Sequence, residues 1–94
     1  MMGMSETKGE LSPEELRKLK PSKTVDARGM SCPGPLLTAK QAITEVPIGG
    51  ILEVLSSDPG TKRDLPLWAR KMGHVYLGTI EEPGYWRIFV KRMK

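Results

Sequence analysis

One cysteine, one histidine and one phenylalanine stand among 94 residues, and aromatic side chains make up only 5% of the chain. A lone Cys32 cannot close an internal disulfide. With His74 as its only companion it cannot supply the roughly four ligands of a closed zinc or iron–sulfur site. No metal and no cofactor is therefore expected. No apolar run approaches the ~20 residues that cross a bilayer, and the opening Met1–Glu10 carries no apolar stretch of the kind a secretory signal needs. The expected address is the cytoplasm, without a membrane partner. Neither G-x-G-x-x-G nor G-x-x-x-x-G-K occurs, so nucleotide chemistry has no support.

What is present suits one small folded domain: 38% hydrophobic residues, 28% charged and a mean hydropathy of -0.34. Fifteen Lys and Arg against eleven Asp and Glu leave a formal charge of +4, with an isoelectric point near 9.4. That balance favours encounter with acidic proteins or with nucleic acid. Residues 1–22 are neutral, with Lys8, Arg17, Lys18 and Lys20 balanced by Glu6, Glu10, Glu14 and Glu15, so the surplus belongs to 23–94.

The chain divides there. Residues 1–22 read as an N-terminal extension, unstructured at first. Ser12-Pro13-Glu14-Glu15 then opens a short helix with an N-cap, a proline at the first position and a glutamate at the third, before Pro21 stops it. Its stripe of Leu16 and Leu19 is thin, so it is expected outside the core and removable. From Thr24 the pattern is denser. Thr24–Ala27 is a strand. Leu36, Ala39, Ile43 and Val46 mark one face of a first helix that Pro47 and Gly49 end. Ile51–Leu55, apolar on both sides, reads as an interior strand. Leu65, Trp68, Ala69 and Met72 mark a second helix, whose regular part is expected to begin near Asp64 because Pro66 lies inside it. Val75–Ile80 and Trp86–Val90 are strands around a Pro83-Gly84 turn. The order β-α-β-α-β-β predicts an α+β fold, a two-layer α/β sandwich with a four-stranded mixed sheet and two helices on one face.

Cys32 is the strongest candidate for chemistry. It falls where the first strand's loop meets the first helix, followed by Pro33 and Pro35, which suit a first helical turn. Free amides and the helix dipole there favour thiolate over thiol, and Arg28, four residues earlier, adds positive charge. The competing reading is a small buried hydrophobe. His74, after Gly73 at the far end of the second helix, reads as a helix-ending residue rather than a partner for the thiol. Thr61, Lys62 and Arg63 lie beside the second helix's start, where amides and two cations can bind an anion or an acidic partner, or simply form a solvated helix start. The last strand mixes aromatic and basic residues, as an RNA-binding sheet does. Yet an edge strand guarded by cations explains it equally, so direct nucleic-acid binding is not expected.

Val25-Asp26-Ala27-Arg28-Gly29-Met30-Ser31-Cys32-Pro33-Gly34-Pro35 resembles the Cys-Pro-x-Pro motif, preceded by a D-x-R-G turn, of the TusA/SirA-like sulfur carrier family. A second block, Ser57 to Pro66 followed by Trp68 and Gly73-His74, is similar to that family's second helix, and the resemblance spans about residues 23–92. It implies a sheet whose last strand is antiparallel to the rest, within a sulfur carrier domain at 23–94. It implies that Cys32, supported by Arg28, Gly29, Pro33 and Pro35, takes sulfane sulfur as a persulfide, or carries a thiosulfonate. The donor would be a cysteine desulfurase or rhodanese and the acceptor another protein, with the chain a monomer when free. Family routes lead to tRNA thiolation, molybdenum cofactor assembly and sulfur oxidation. The rival reading is a small basic RNA-binding or regulatory module in which Cys32 is incidental.

Overall fold

The computed structural model describes residues 11–31 and 34–94. Its elements run α1 (Pro13–Arg17), β1 (Lys23–Asp26), α2 (Gly34–Ala42), β2 (Ile51–Ser56), α3 (Pro59–Met72), β3 (Val75–Glu82) and β4 (Tyr85–Lys91). The strands form one sheet in the order β1-β2-β4-β3. β1 and β2 are parallel, and β4 is antiparallel to both β2 and β3, so the last strand alone runs against the others. This is the expected mixed sheet. β2 lies inside it, as its two-sided apolar pattern required.

One face carries α2 and α3. Leu52 and Val54 of β2 and Ile88 and Val90 of β4 meet Ala39, Ala42, Leu65 and Ala69 from the helices, with Val46 closing the far end. The first helix's stripe is buried, Leu36 in part, except that α2 stops at Ala42 and a 3-10 turn, Ile43–Glu45, continues it to Val46. Of the second helix's stripe Leu65, Trp68 and Ala69 are buried, while Met72 at the end of α3 is exposed. Arg92 holds that end by donating to the Val46 carbonyl at 2.7 Å.

Two expectations need correction. The regular part of α3 does not wait for Asp64. It starts at Pro59 behind the N-cap Asp58 and runs through a buried Pro66. The proline only removes the amide that would bond the carbonyl four residues back, in the first turns of the helix, and its burial among core residues offsets that loss. The second correction concerns α1. It forms with the capping box read from Ser12 and Glu15, whose amides and side chains exchange bonds at 3.0 and 3.3 Å. It is not outside the core, however. Leu16 is only 1% exposed and packs with Leu77, Ile80 and Phe89 on the sheet face opposite α2 and α3. The cause is the sheet itself: strands alternate, and this second face carries apolar side chains that water would otherwise meet. Gly78, at φ +146°, makes the close approach possible, since a Cβ there would lie 2.9 Å from Leu16 Cδ1.

Candidate functional site

The loops leaving β1 and β2, and the β3–β4 turn, gather at one end of the sheet, where both α2 and α3 begin. Cys32 and Pro33 lie outside the described residues, so the site is built from what flanks them. Asp26 ends β1 and folds the chain back on itself. One of its oxygens accepts the Arg28 backbone N–H at 3.1 Å, and its carboxylate takes the Arg28 guanidinium through bonds of 2.9 and 2.8 Å. Those bonds hold the Asp26 carboxyl down at about 2. The guanidinium also lies 4.9 Å from the centre of the Tyr85 ring. Arg28 was expected to add positive charge beside the thiol. Its guanidinium is paired with Asp26, and the pair fixes the turn.

That turn closes when the Met30 N–H donates to the Ala27 carbonyl at 3.2 Å, with Gly29 at φ +84° in the third position, a conformation glycine adopts without penalty. The Gly29 N–H donates to Ser57 Oγ at 2.9 Å, tying the loop after β1 directly to the loop after β2. The expected neighbourhood of the two loops is thus present. Gly34 returns the chain by donating to the Ser31 carbonyl at 2.7 Å, and the fully buried Pro35 anchors the first turn of α2. Met30 and Leu37 leave an exposed apolar rim at this end.

The first turn of α3 separates the three residues grouped there from the sequence. Thr61 is 2% exposed, and its hydroxyl accepts from Ser56 Oγ at 2.9 Å, while Ser56 Oγ also accepts the Asp58 N–H. Thr61 therefore builds the start of α3 from inside and cannot touch a partner. A signal existed: Thr61, Leu65, Trp68 and Ala69 share one helical stripe. Lys62 and Arg63 point outward. Lys62 Nζ sits 4.3 Å from the centre of the Trp86 ring, and Arg63, 79% exposed, lies 3.7 Å from Asp64. Tyr85 and Trp86, which hold the two cations, were not singled out as site residues. Their place directly after the Pro83-Gly84 turn was the available clue.

His74 stands after the far end of α3, about 20 Å along a fourteen-residue helix from its start. Its N–H donates to the Ala69 carbonyl at 2.8 Å, its Nδ1 accepts the Met93 N–H at 3.1 Å, and its ring tilts against Trp68. Burial, with Arg92 and Lys94 nearby, pushes its pKa below the ordinary value. It is a structural histidine. The aromatic-basic face of β4 is likewise occupied: Phe89 is fully buried beneath α1, and Arg87 is paired with the buried Glu53 and with Glu82. Phe89 cannot stack on a base. Among the described residues no three His, Cys, Asp or Glu are placed to hold a metal, and no helix is long and apolar enough to cross a membrane.

Comparison with known proteins agrees with this geometry. Residues 23–92 match the family described as "Sulfurtransferase TusA". A candidate sulfur carrier protein of Archaeoglobus fulgidus is 46% identical over 70 residues, covering 74% of this chain and 96% of its own. The sulfur carrier protein TusA of Pseudomonas entomophila is 36% identical over 69 residues, covering 73% of this chain and 86% of its own. A SirA-like protein of Desulfitobacterium hafniense has the same fold in its crystal structure. Its TM-score is 0.63 at 29% identity, over 77% of this chain and 99% of that one.

Proposed function

The chain belongs to the TusA sulfurtransferase family, and from that premise we propose that it is a sulfur carrier whose single thiol, Cys32, relays sulfane sulfur between two proteins. The thiolate attacks the terminal sulfur of a donor persulfide and forms the Cys32 persulfide, releasing the donor's thiolate. An acceptor thiolate then attacks the outer sulfur of Cys32 and regenerates the Cys32 thiolate. Each step breaks one S–S bond and makes another, with no net oxidation and little need for an acid–base partner. The donor is a cysteine desulfurase or a rhodanese, the acceptor a protein of a sulfur relay, and the exchange takes place in the cytoplasm with the carrier a monomer when free.

The observation that carries this reading is that the one cysteine of the chain falls within the matched residues 23–92, in the segment that leads from the Asp26–Arg28 turn to α2. A relay needs a sulfur without a second thiol nearby, because a neighbour would discharge the cargo by forming a disulfide. In sequence, Cys32 precedes the first residue of α2 by two positions, and the positive end of a helix favours a thiolate over a thiol. Lys62 and Arg63 present the outward charge beside this loop and are assigned to meeting the partner. Gly29, Pro33 and Pro35 shape the segment.

Intact mass after incubation with a desulfurase and cysteine, or with thiosulfate or tetrathionate, tests the reading. Wild type should gain one sulfur atom, or a thiosulfonate, and lose it to a reductant, while Cys32→Ser gains nothing. Loading that persists in the serine variant, or no loading of wild type from any of these donors, refutes it. Alkylation rate against pH should place the thiol's midpoint below the ~8.5 of free cysteine.

A further inference from the structure

The two helices cover the sheet but do not close against each other on their outer side. Between them runs an open cleft of about 620 Å³, with Trp68 and Ile43 at its floor, Met72 at its edge and Lys40 and Lys71 on its two walls. A second hollow of about 230 Å³ shares Lys40, Trp68 and Lys71 and continues toward the start of α2, past Leu67. Leu67 is 51% exposed and Met72 53%. Apolar side chains this open, lined along a groove rather than scattered, mark an interaction surface.

Charge selects the occupant. α2 and α3 together carry Lys40, Lys62, Arg63, Arg70 and Lys71 against the single carboxylate of Asp64, a surplus equal to the +4 of the whole chain. Like charge sets two such helix layers against each other, so a second copy is a poor match. The described chain begins at Leu11, bonded to Leu77 on the sheet face opposite the groove.

We propose that the groove between α2 and α3 receives an acidic amphipathic helix of a partner protein, with an apolar side chain seated against Trp68 and flanking carboxylates on Lys40 and Lys71. Helix-in-groove recognition needs an apolar groove and a rim whose charge complements the docking helix, and both are present. The groove opens at its α2 end toward the loops around the site, so a helix docked there extends from the surface where Lys62 and Arg63 stand. As the seat of the sulfur-exchanging partner, this deepens the carrier reading and rests on it. The groove itself is tested without it.

The experiment uses the full chain and a synthetic helix of about 14 residues, roughly four turns, with leucines on one face and glutamates beside them. Backbone amide shifts locate binding, and titration at low and high salt measures it. The expected result is shifts confined to α2, the 3-10 turn after it, α3 and His74, affinity weakened at least about tenfold in Lys40→Glu/Lys71→Glu and graded in Lys40→Ala/Lys71→Ala, and weakening by added salt. Cys32→Ser should bind the peptide as wild type does. Both lysines are exposed, and unchanged melting of the variants confirms that they fold. No shifts at about 1 mM peptide, a limit beyond which affinity is too weak to be specific, overturn the proposal. So do equal affinity in the charge-reversed variant, shifts on the sheet face instead, or equal competition by a glutamate peptide lacking leucines or by anionic vesicles. Sulfur loading of Cys32 from small donors does not involve the groove, so its failure and the failure of peptide binding are read separately.

Discussion

Leu16→Ala tests whether the N-terminal helix is part of the folded domain. Leu16 is 1% exposed and contacts the cluster of Leu77, Ile80 and Phe89. Truncating a fully buried leucine costs about 2–5 kcal/mol, the range reflecting how far the site collapses. Here the residue belongs to a thin strap. If the strap detaches, the ordering entropy of its residues is recovered, so the loss cannot exceed the strap's own net docking energy. The expected cost is therefore near the low end, about 2 kcal/mol, or a fall in melting temperature of roughly 8–16 °C for a domain of this size. Urea and thermal melts measure it. A second variant isolates the contact. Gly78→Ala places a Cβ 2.9 Å from Leu16 Cδ1 and 3.1 Å from the Leu11 carbonyl oxygen, in a backbone at φ +146°. Part of its cost is backbone strain that persists in any background, and part is the collision with Leu16. In the Leu16→Ala background the second part vanishes, so the two costs should fail to add by more than ~0.5 kcal/mol. Strict additivity, together with a cost below ~0.5 kcal/mol for Leu16→Ala, refutes docking and restores the view that residues 1–20 are dispensable.

Three further outcomes follow from the same contacts. Arg87→Ala leaves Glu53, whose side chain is 7% exposed, with the Thr24 hydroxyl at 2.9 Å as its side-chain partner among the described residues, and should cost about 3 kcal/mol in urea melts, whereas Glu53→Gln/Arg87→Met recovers most of it. His74 titrates below its ordinary 6.5 in the folded chain, so its stabilising effect is complete above pH 6.5 and is lost as pH falls through the folded value. Melts between pH 7.5 and 5 should show that loss in wild type and a flatter profile in His74→Gln. Lys62→Glu/Arg63→Glu should slow sulfur transfer to a protein acceptor through its association rate at low salt, with the difference fading as salt rises. Unchanged kinetics would make these residues solvated surface.

The fold was largely legible because its elements announce themselves locally. Leucines and alanines at spacings of three and four mark α2 and α3, the box at Ser12 and Glu15 marks α1, and Pro83-Gly84 marks the hairpin. What escaped depends on pairings that no local pattern encodes. Glu53 interrupts an apolar strand and looks solvent-facing. It is buried because β4 runs beside β2 and brings Arg87, the cross-strand partner of Leu55, diagonally within reach. α1 looked peripheral because its own apolar stripe is thin. The missing half of the argument lay seventy residues away, where Phe89 is the one strongly apolar residue among the outward positions of β4. An unpaired apolar residue on a strand's solvent side implies a cover, and the only unassigned apolar segment was the extension.

At the site, sequence identified the loops but not how their charges are held. Residues that ought to act alike by type are divided by burial: Thr61 turns inward to Ser56 while Lys62 and Arg63 turn out. Arg28 lies in the loop after β1 and Lys62 in the first turn of α3, yet they rest on consecutive residues of β4, Tyr85 and Trp86, which point to opposite faces because a strand alternates. One strand start thus sets a cation on each side of the sheet end, one neutralised by Asp26 and one left to solvent. The asymmetry at this end of the sheet follows from that alternation: Lys62, on the helix side, rests on a neutral ring, whereas Arg28, on the other side, rests on a ring and against the Asp26 carboxylate. On the proposed carrier reading, an anionic partner approaching the segment around Cys32 is expected along the helix layer, while Arg28 holds the Asp26 carboxyl down at about 2 and keeps that pair balanced in neutral solution.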